Sequence, residues 1–191
     1  NGNSTNGGGI INSSSSSATL NNLNITNNIA SNIGGGIYIN GNNTLIQSCI
    51  IKNNQGYLGG GVGYTSTASN IINNTIVASN IMDYDGSLSG NRGGSGIYLD
   101  NQCSPVIINT IIKNNTNGFA GIYGVESNAI IKNSQIFNNA QDGIRAINSN
   151  LKIINSIIYN NSNSGIDLNE SENFQVINST IVGHTEYITL N

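Results

Sequence analysis

The chain repeats itself. A polar pair that is nearly always Asn-Asn recurs along its length: Asn27-Asn28, Asn53-Asn54, Ser79-Asn80, Asn114-Asn115, Asn138-Asn139, Asn160-Asn161 and finally His184-Thr185. The second members follow one another at 26, 26, 35, 24, 22 and 24 residues. Between the pairs lies a glycine followed by Ile or Val: Gly9-Ile10, Gly36-Ile37, Gly61-Val62, Gly96-Ile97, Gly121-Ile122, Gly143-Ile144 and Gly165-Ile166. A sustained period of this length marks a stacked-repeat architecture, and any fold assigned to the chain has to account for it.

Each period holds three short apolar runs, "GIRAI", "LKIIN" and "SIIY" in the sixth, separated by Gly/Asn/Ser corners. The runs are too short for helices and show no 3.6-residue apolar period, while their β-branched content reads as strands. Three strands and three corners per period make one coil of a parallel β-solenoid, each coil about 4.8 Å above the last. Like residues then stack. Ile37, Val62, Ile97, Ile122, Ile144 and Ile166 are expected in one inward column, and Ile50, Ile76, Ile111, Ile136, Ile157 and Ile181 in another. No coil can bury such a face alone, so stability is shared between nearest neighbours.

The corner asparagines have a physical reason. Asn tolerates the left-handed backbone that a sharp corner needs. Stacked one above another, their amides can hydrogen-bond along the solenoid, which satisfies groups that would otherwise be buried unpaired. At the last pair His184 takes the slot, and "YITL" (187–190) reads as the opening strand of a further coil. The ladder is therefore expected to pause there, in a chain that reads as a segment of a longer protein. The predicted fold is all-β: one parallel β-helix domain over residues 1–191, about seven coils of 22–26 residues, with one longer coil carrying a loop insertion at 81–95.

Composition excludes several function classes. Asparagine supplies 39 residues, isoleucine 33 and glycine 24, with one proline and no tryptophan. Only 8% of the residues are charged, against about 25% in an average soluble protein. With a net charge of −3 and no Lys/Arg cluster, the chain lacks the grouped cations that nucleic-acid binding requires. No apolar run approaches the roughly 20 residues of a membrane helix, and no signal-peptide pattern opens the sequence. Disorder is excluded by the fixed placement of the isoleucines.

The repeats "GGGIYINGNNTLIQSCIIKNNQGYLGGGV" and "GIDLNESENFQVINSTIV" resemble the right-handed parallel β-helix repeats of the pectin-lyase-like superfamily. In style, their "GGGI" starts with "NNTI" or "NSTI" segments are closest to adhesin-like and polymorphic outer-membrane surface proteins of bacteria and archaea. The resemblance spans residues 7–190 and implies right-handedness. It leaves function open, because the superfamily holds lyases, hydrolases, epimerases and adhesins.

Catalysis in that superfamily implies acidic calcium ligands with a basic proton abstractor, or paired carboxylates. The acidic residues here are mostly scattered singly. One concentration is the insertion "IMDYDGSLSGNRGG" (81–94), where Asp83 and Asp85 make calcium the one candidate cofactor, although Gly94 stands where an EF-hand would place its bidentate glutamate. A second candidate is the outward column of the Gly-Ile strands, expected to face solvent: Tyr38, Gly63, Tyr98, Tyr123, Arg145 and Asp167. The resemblance places a saccharide groove along that sheet, with tyrosines stacking on sugar rings and Arg145 and Asp167 bonding hydroxyls. The competing reading is cross-strand aromatic packing that shields the sheet.

His184 is the only histidine, which excludes a histidine-rich metal site. Cys49 and Cys103 are expected two coils apart, about 9.6 Å, beyond disulfide reach. Of the sequons, those in the ladder are expected to be inaccessible, leaving Asn42 and Asn169 in corner loops as attachment sites. The sequence favours a non-catalytic extracellular structural or adhesive module at a cell surface. The alternative is a carbohydrate-active β-helix that binds or cleaves polysaccharide along the Tyr column. Expected partners are a polysaccharide, a host or neighbouring cell surface, or identical subunits in an envelope or filament.

Overall fold

The computed structural model describes residues 2–13, 16–65, 67, 69–83, 93–100 and 102–190. Among them the chain forms short strands and no helix. A front sheet of eight strands runs from Ile10–Asn12 to Glu186–Leu190. A side sheet of seven runs from Thr19–Asn21 to Gln175–Ile177, and a back sheet of seven from Asn24–Thr26 to Thr180–Val182. Each strand pairs in parallel with its equivalent one coil on, as in Val62↔Ile97, Ile72↔Ile107 and Val77↔Ile112. The segment "YITL" forms a front strand paired to Ser164–Asn169, as expected.

A fourth short sheet was not legible in the sequence. Asn3–Ser4, Ile29–Ile33, Gln55–Leu58 and Ile81–Met82 pair on the far side of the Asn corner in the early coils. From the fourth coil onward the chain passes from corner to front sheet directly, which is why the later coils are shorter.

The interior is built from aligned columns of buried side chains, one residue to each coil. On the front sheet Ile37, Val62, Ile97, Ile122, Ile144 and Ile166 lie in register and fully buried, as expected. On the back sheet the inward column is Ile25, Ile51, Val77, Ile112, Ile136, Ile158 and Ile181. Ile136 and Ile181 were expected there, but Ile50, Ile76, Ile111 and Ile157 point outward; Ile50 and Ile157 are 38% and 44% exposed. The cause is the Ile-Ile and Ile-Val doublets that open these strands. A doublet carries no alternation, and a one-residue slip exchanges the faces. Each fully buried isoleucine contributes roughly 1.5–3 kcal/mol of transfer free energy, so the columns supply the driving force.

The corners behave as their residue types require. Asn27, Asn53, Ser79, Asn114, Asn138 and Asn160 all adopt φ of 52° to 57°, and Gly183 takes the same place at φ 74°. The residue after each is the ladder member. Asn28, Asn54, Asn80, Asn115 and Asn139 each donate both backbone N–H and side-chain amide to the Oδ1 of the next, at 2.9–3.2 Å. The final pair is therefore Gly183-His184 and not His184-Thr185, a correction of one residue. Two further ladders run through hydroxyls: Thr110→Ser134→Ser156→Ser179 and Ser127→Ser149→Ser171, backbone N–H to Oγ at 3.0–3.2 Å. Both thiols are free and buried.

Candidate functional site

The expected outward column exists as a register. Tyr38, Gly63, Tyr98, Tyr123, Arg145 and Asp167 follow one another on the front sheet, with Thr189 beyond. Its exposure is not what alternation implies. Tyr38 is half-buried, its hydroxyl 2.8 Å from Thr65 Oγ1. Tyr98 and Tyr123 are buried at 7% and 1%, in a small apolar cluster with Ala120 that also receives Ile33, Leu58, Phe119, Val125 and Ile147. Ile33 and Leu58 come from the fourth sheet. A side chain at position 63 would collide with Ile33, which explains the glycine in the column.

The two rings lie nearly parallel, 6.1 Å between centroids and 17° between planes, so each covers a face of the other. Cross-strand packing, the competing reading of this column, accounts for that burial. Tyr98 Oη donates to Asp100 Oδ2 at 3.0 Å, and beside them a hollow of about 490 Å³ is lined by Tyr57, Leu58, Tyr98, Asp100, Tyr123, Val125 and Ile147. At the other end of these strands a hollow of about 360 Å³ lies between Asn117–Phe119 and Ala140–Gln141.

Arg145 and Asp167 are held by an interaction the sequence did not reveal. Arg145 Nε is 3.3 Å from Asp167 Oδ2, and its Nη1 is 3.8 Å from Asp142 Oδ2. The guanidinium also sits 5.9 Å from the centre of the Phe119 ring. Asp142 is fully buried, and its Oδ1 accepts from the Asn163 amide at 2.8 Å and the Ser164 N–H at 3.0 Å. Burial pushes its carboxyl above the usual range; the Ser164 N–H and Asn163 amide oppose that, Asp167 adds to it, and Arg145 opposes it. Asp142 opens its strand at a corner, where in–out alternation no longer fixes side-chain direction. The one usable signal was the Asp-x-x-Arg spacing.

The arrangement constrains chemistry. The Arg145 guanidinium is engaged on two sides, by Asp167 at 3.3 Å and by Asp142 at 3.8 Å. Asp142 has no accessible oxygen for a substrate. Asp167 keeps 9% of its side chain exposed and is engaged by Arg145.

The remaining expected residues are spread out. Asp83 is exposed, its N–H donating to Gly56 O at 2.8 Å, while Asp85 lies outside the described residues. No group of three or more His, Cys, Asp and Glu side chains gathers among the described residues. Asn42 is exposed and Asn169 half-buried at the end of a front strand. Sequon residues Asn114 and Asn160 are the exposed predecessors of ladder members and not the buried members themselves.

Two solved structures share the architecture. The chain superposes on pectate lyase Pel9A with TM-score 0.55 at 17% identity, over 88% of this chain and 49% of that one. It superposes on the periplasmic alginate epimerase AlgG with TM-score 0.54 at 15% identity, over 92% and 50%. The chain thus spans about half the length of either. No curated protein matches it in sequence. The family model described as "Right handed beta helix region" matches residues 79–190, more than half of the chain. Together with the parallel coils this makes the chain a member of the right-handed β-helix family.

Proposed function

We propose that this chain is a non-catalytic structural module of an extracellular or cell-surface protein: a stiff β-helical rod that presents its faces to neighbours. The observation that carries the reading is the closure of the front column. Tyr98 and Tyr123 are buried under side chains of the fourth sheet and the neighbouring strand ends, and Arg145 is clamped between Asp142 and Asp167. General acid–base chemistry needs a group free to approach its target to within about 3 Å. An extracellular setting accords with the periplasmic alginate epimerase AlgG, which shares the fold. Pectate and alginate, after which the two structural neighbours are named, are the glycans to try first. Incubation with them, and with xylan, should release neither unsaturated products nor reducing ends. Turnover that disappears in Arg145→Ala or Asp167→Asn would sink the reading.

A second reading rests on the hollow of about 490 Å³, where the Tyr98 hydroxyl, Asp100 and apolar walls meet. It would hold a saccharide by edge contacts without cleaving it. Retention on a glycan column that is lost in Asp100→Ala supports it. Calcium at Asp83 and Asp85, and glycans on Asn42 and Asn169, belong to this extracellular setting. A chelator-dependent melting temperature and a mass increase in a glycosylating host are their respective tests.

A further inference from the structure

The charges of this sparsely charged chain are segregated by face. No Asp or Glu lies in any strand of the side or back sheets among the described residues, whereas all four lysines, Lys52, Lys113, Lys132 and Lys152, lie there. The described carboxylates belong to the front sheet and to the loops and corners around it. Among the described residues the salt bridges are those of Arg145; no lysine is paired with a carboxylate.

The back sheet, seven strands like the side sheet, carries Lys52 and Lys113. Its outward positions form two adjacent columns. One holds Ile50, Ile76, Ile111, Gln135 and Ile157. The other holds Lys52, Ala78, Lys113, Phe137 and Tyr159 in register. Phe137 and Tyr159 stack on each other at 4.5 Å and 12°, with Lys113 Nζ 5.6 Å from the centre of the Phe137 ring, so Phe137 and one face of Tyr159 are occupied from within the column. A flat, ridged, apolar and basic surface fits another protein face better than it fits a sugar ring, which needs a free aromatic face.

The chain carries a matching surface. At the front–side corner Glu126, Asn148 and Glu170 occupy one column, with φ of 46°, 48° and 50°. The Glu126 N–H donates to Ile147 O, and the Asn148 N–H to Asn169 O, at 3.0 and 2.9 Å. Glu126 and Glu170 are exposed. They stand two coils apart, about 9.6 Å by strand spacing. Lys52 and Lys113 also stand two coils apart, with Ala78 between them.

From this match we propose that copies of the chain associate side by side, with the back sheet of one against the front–side corner of the next. Lys52 and Lys113 meet Glu170 and Glu126, and the isoleucine column is covered at the same time. The contact is heterologous and does not close on itself, so it generates rows of rods. The front-sheet hollows take no part in it, so it stands whether or not they bind saccharide.

Sedimentation velocity over a concentration series at low and high salt tests it. Association that weakens with salt is expected, because the pairs are solvent-facing and screened. The double variants Lys52→Glu/Lys113→Glu and Glu126→Lys/Glu170→Lys should each be folded by circular dichroism and monomeric. Mixing them should restore association, since the acidic back sheet of one meets the basic corner of the other. The milder Lys52→Gln/Lys113→Gln should weaken association if the double Glu variant does not fold. A chain that stays monomeric at low salt, association indifferent to these variants, or mixed variants that fail to associate would overturn the proposal. So would binding to polygalacturonate through Lys52 and Lys113 with no self-association.

Discussion

His184 reproduces with an imidazole two of the contacts that an asparagine amide makes in the coils below it. Its Nδ1 accepts the Asn161 backbone N–H at 3.2 Å, as Oδ1 of Asn161 does for Asn139. Its Nε2 lies 3.1 Å from Ile158 O, where the amides of Asn139 and Asn161 donate to Ile112 O and Ile136 O. That pattern assigns the proton to Nε2. The ladder does not pause at the last coil; it continues in different chemistry.

His184→Asn should therefore leave the melting temperature unchanged or raise it, and keep the Asn161 amide protected in hydrogen exchange. His184→Ala should expose that amide and cost about 1 kcal/mol. Asn139→Ala strikes deeper, since its Oδ1 accepts two bonds from Asn115 and its amide donates to Asn161; about 1 to 3 kcal/mol is expected by urea unfolding. Full stability in Asn139→Ala would show that the ladder contributes nothing.

The fold was legible because every coil writes the same three strands, and stacking amplifies a weak local signal through many copies. Gly36-Ile37 and its successors identify one inward column unambiguously, since a glycine anchors each. The Ile50-Ile51 and Ile157-Ile158 doublets do not, and there the register could be read only from the paired backbone. The site was half legible. The Tyr98–Tyr123–Arg145–Asp167 column follows from alternation, but its burial depends on Ile33 and Leu58, which come from a sheet with no repeat across the whole chain. Asp142 escaped because it sits at a corner. The hydroxyl ladders escaped because Ser, Thr and Cys share one slot, and so no single residue type recurs.

Tyr64 and Cys103 govern the alkaline limit. Tyr64 is fully buried with no partner for its hydroxyl, and burial followed by the charge of Cys103 pushes its ionisation well above the usual range. Burial is also the main cause that raises the Cys103 thiol to about 12. An unfolded thiol ionises near about 8.5. Between those values the unfolded chain has released a proton that the folded chain retains, so stability falls as pH rises through the window. Cys103→Ala should flatten that decline in pH-resolved urea unfolding. Tyr64→Phe should hold or increase stability at neutral pH, because it removes an unsatisfied buried hydroxyl. A steeper alkaline decline in Cys103→Ala would refute the assignment.

Arg145→Ala should destabilise at neutral pH by about 3 kcal/mol, because it leaves the buried Asp142 and the adjacent Asp167 without their cation. Burial already holds Asp142 above the usual carboxyl range, so acidification should protonate it first and shrink the penalty. Guanidinium unfolding at neutral and mildly acidic pH reads both effects. A penalty that grows on acidification contradicts the clamp.

The central claim is that the front column is packing and not a saccharide face, and the double variant Tyr98→Ala/Tyr123→Ala tests it most directly. Both rings are almost fully buried and stacked, and truncation of a buried aromatic costs about 3–5 kcal/mol. Its unfolding free energy, measured in denaturant without any glycan present, should fall by at least about 3 kcal/mol. A loss below about 1 kcal/mol, within reach of an ordinary surface substitution, would mean that the rings are open to solvent and free to serve a ligand, and would contradict the account.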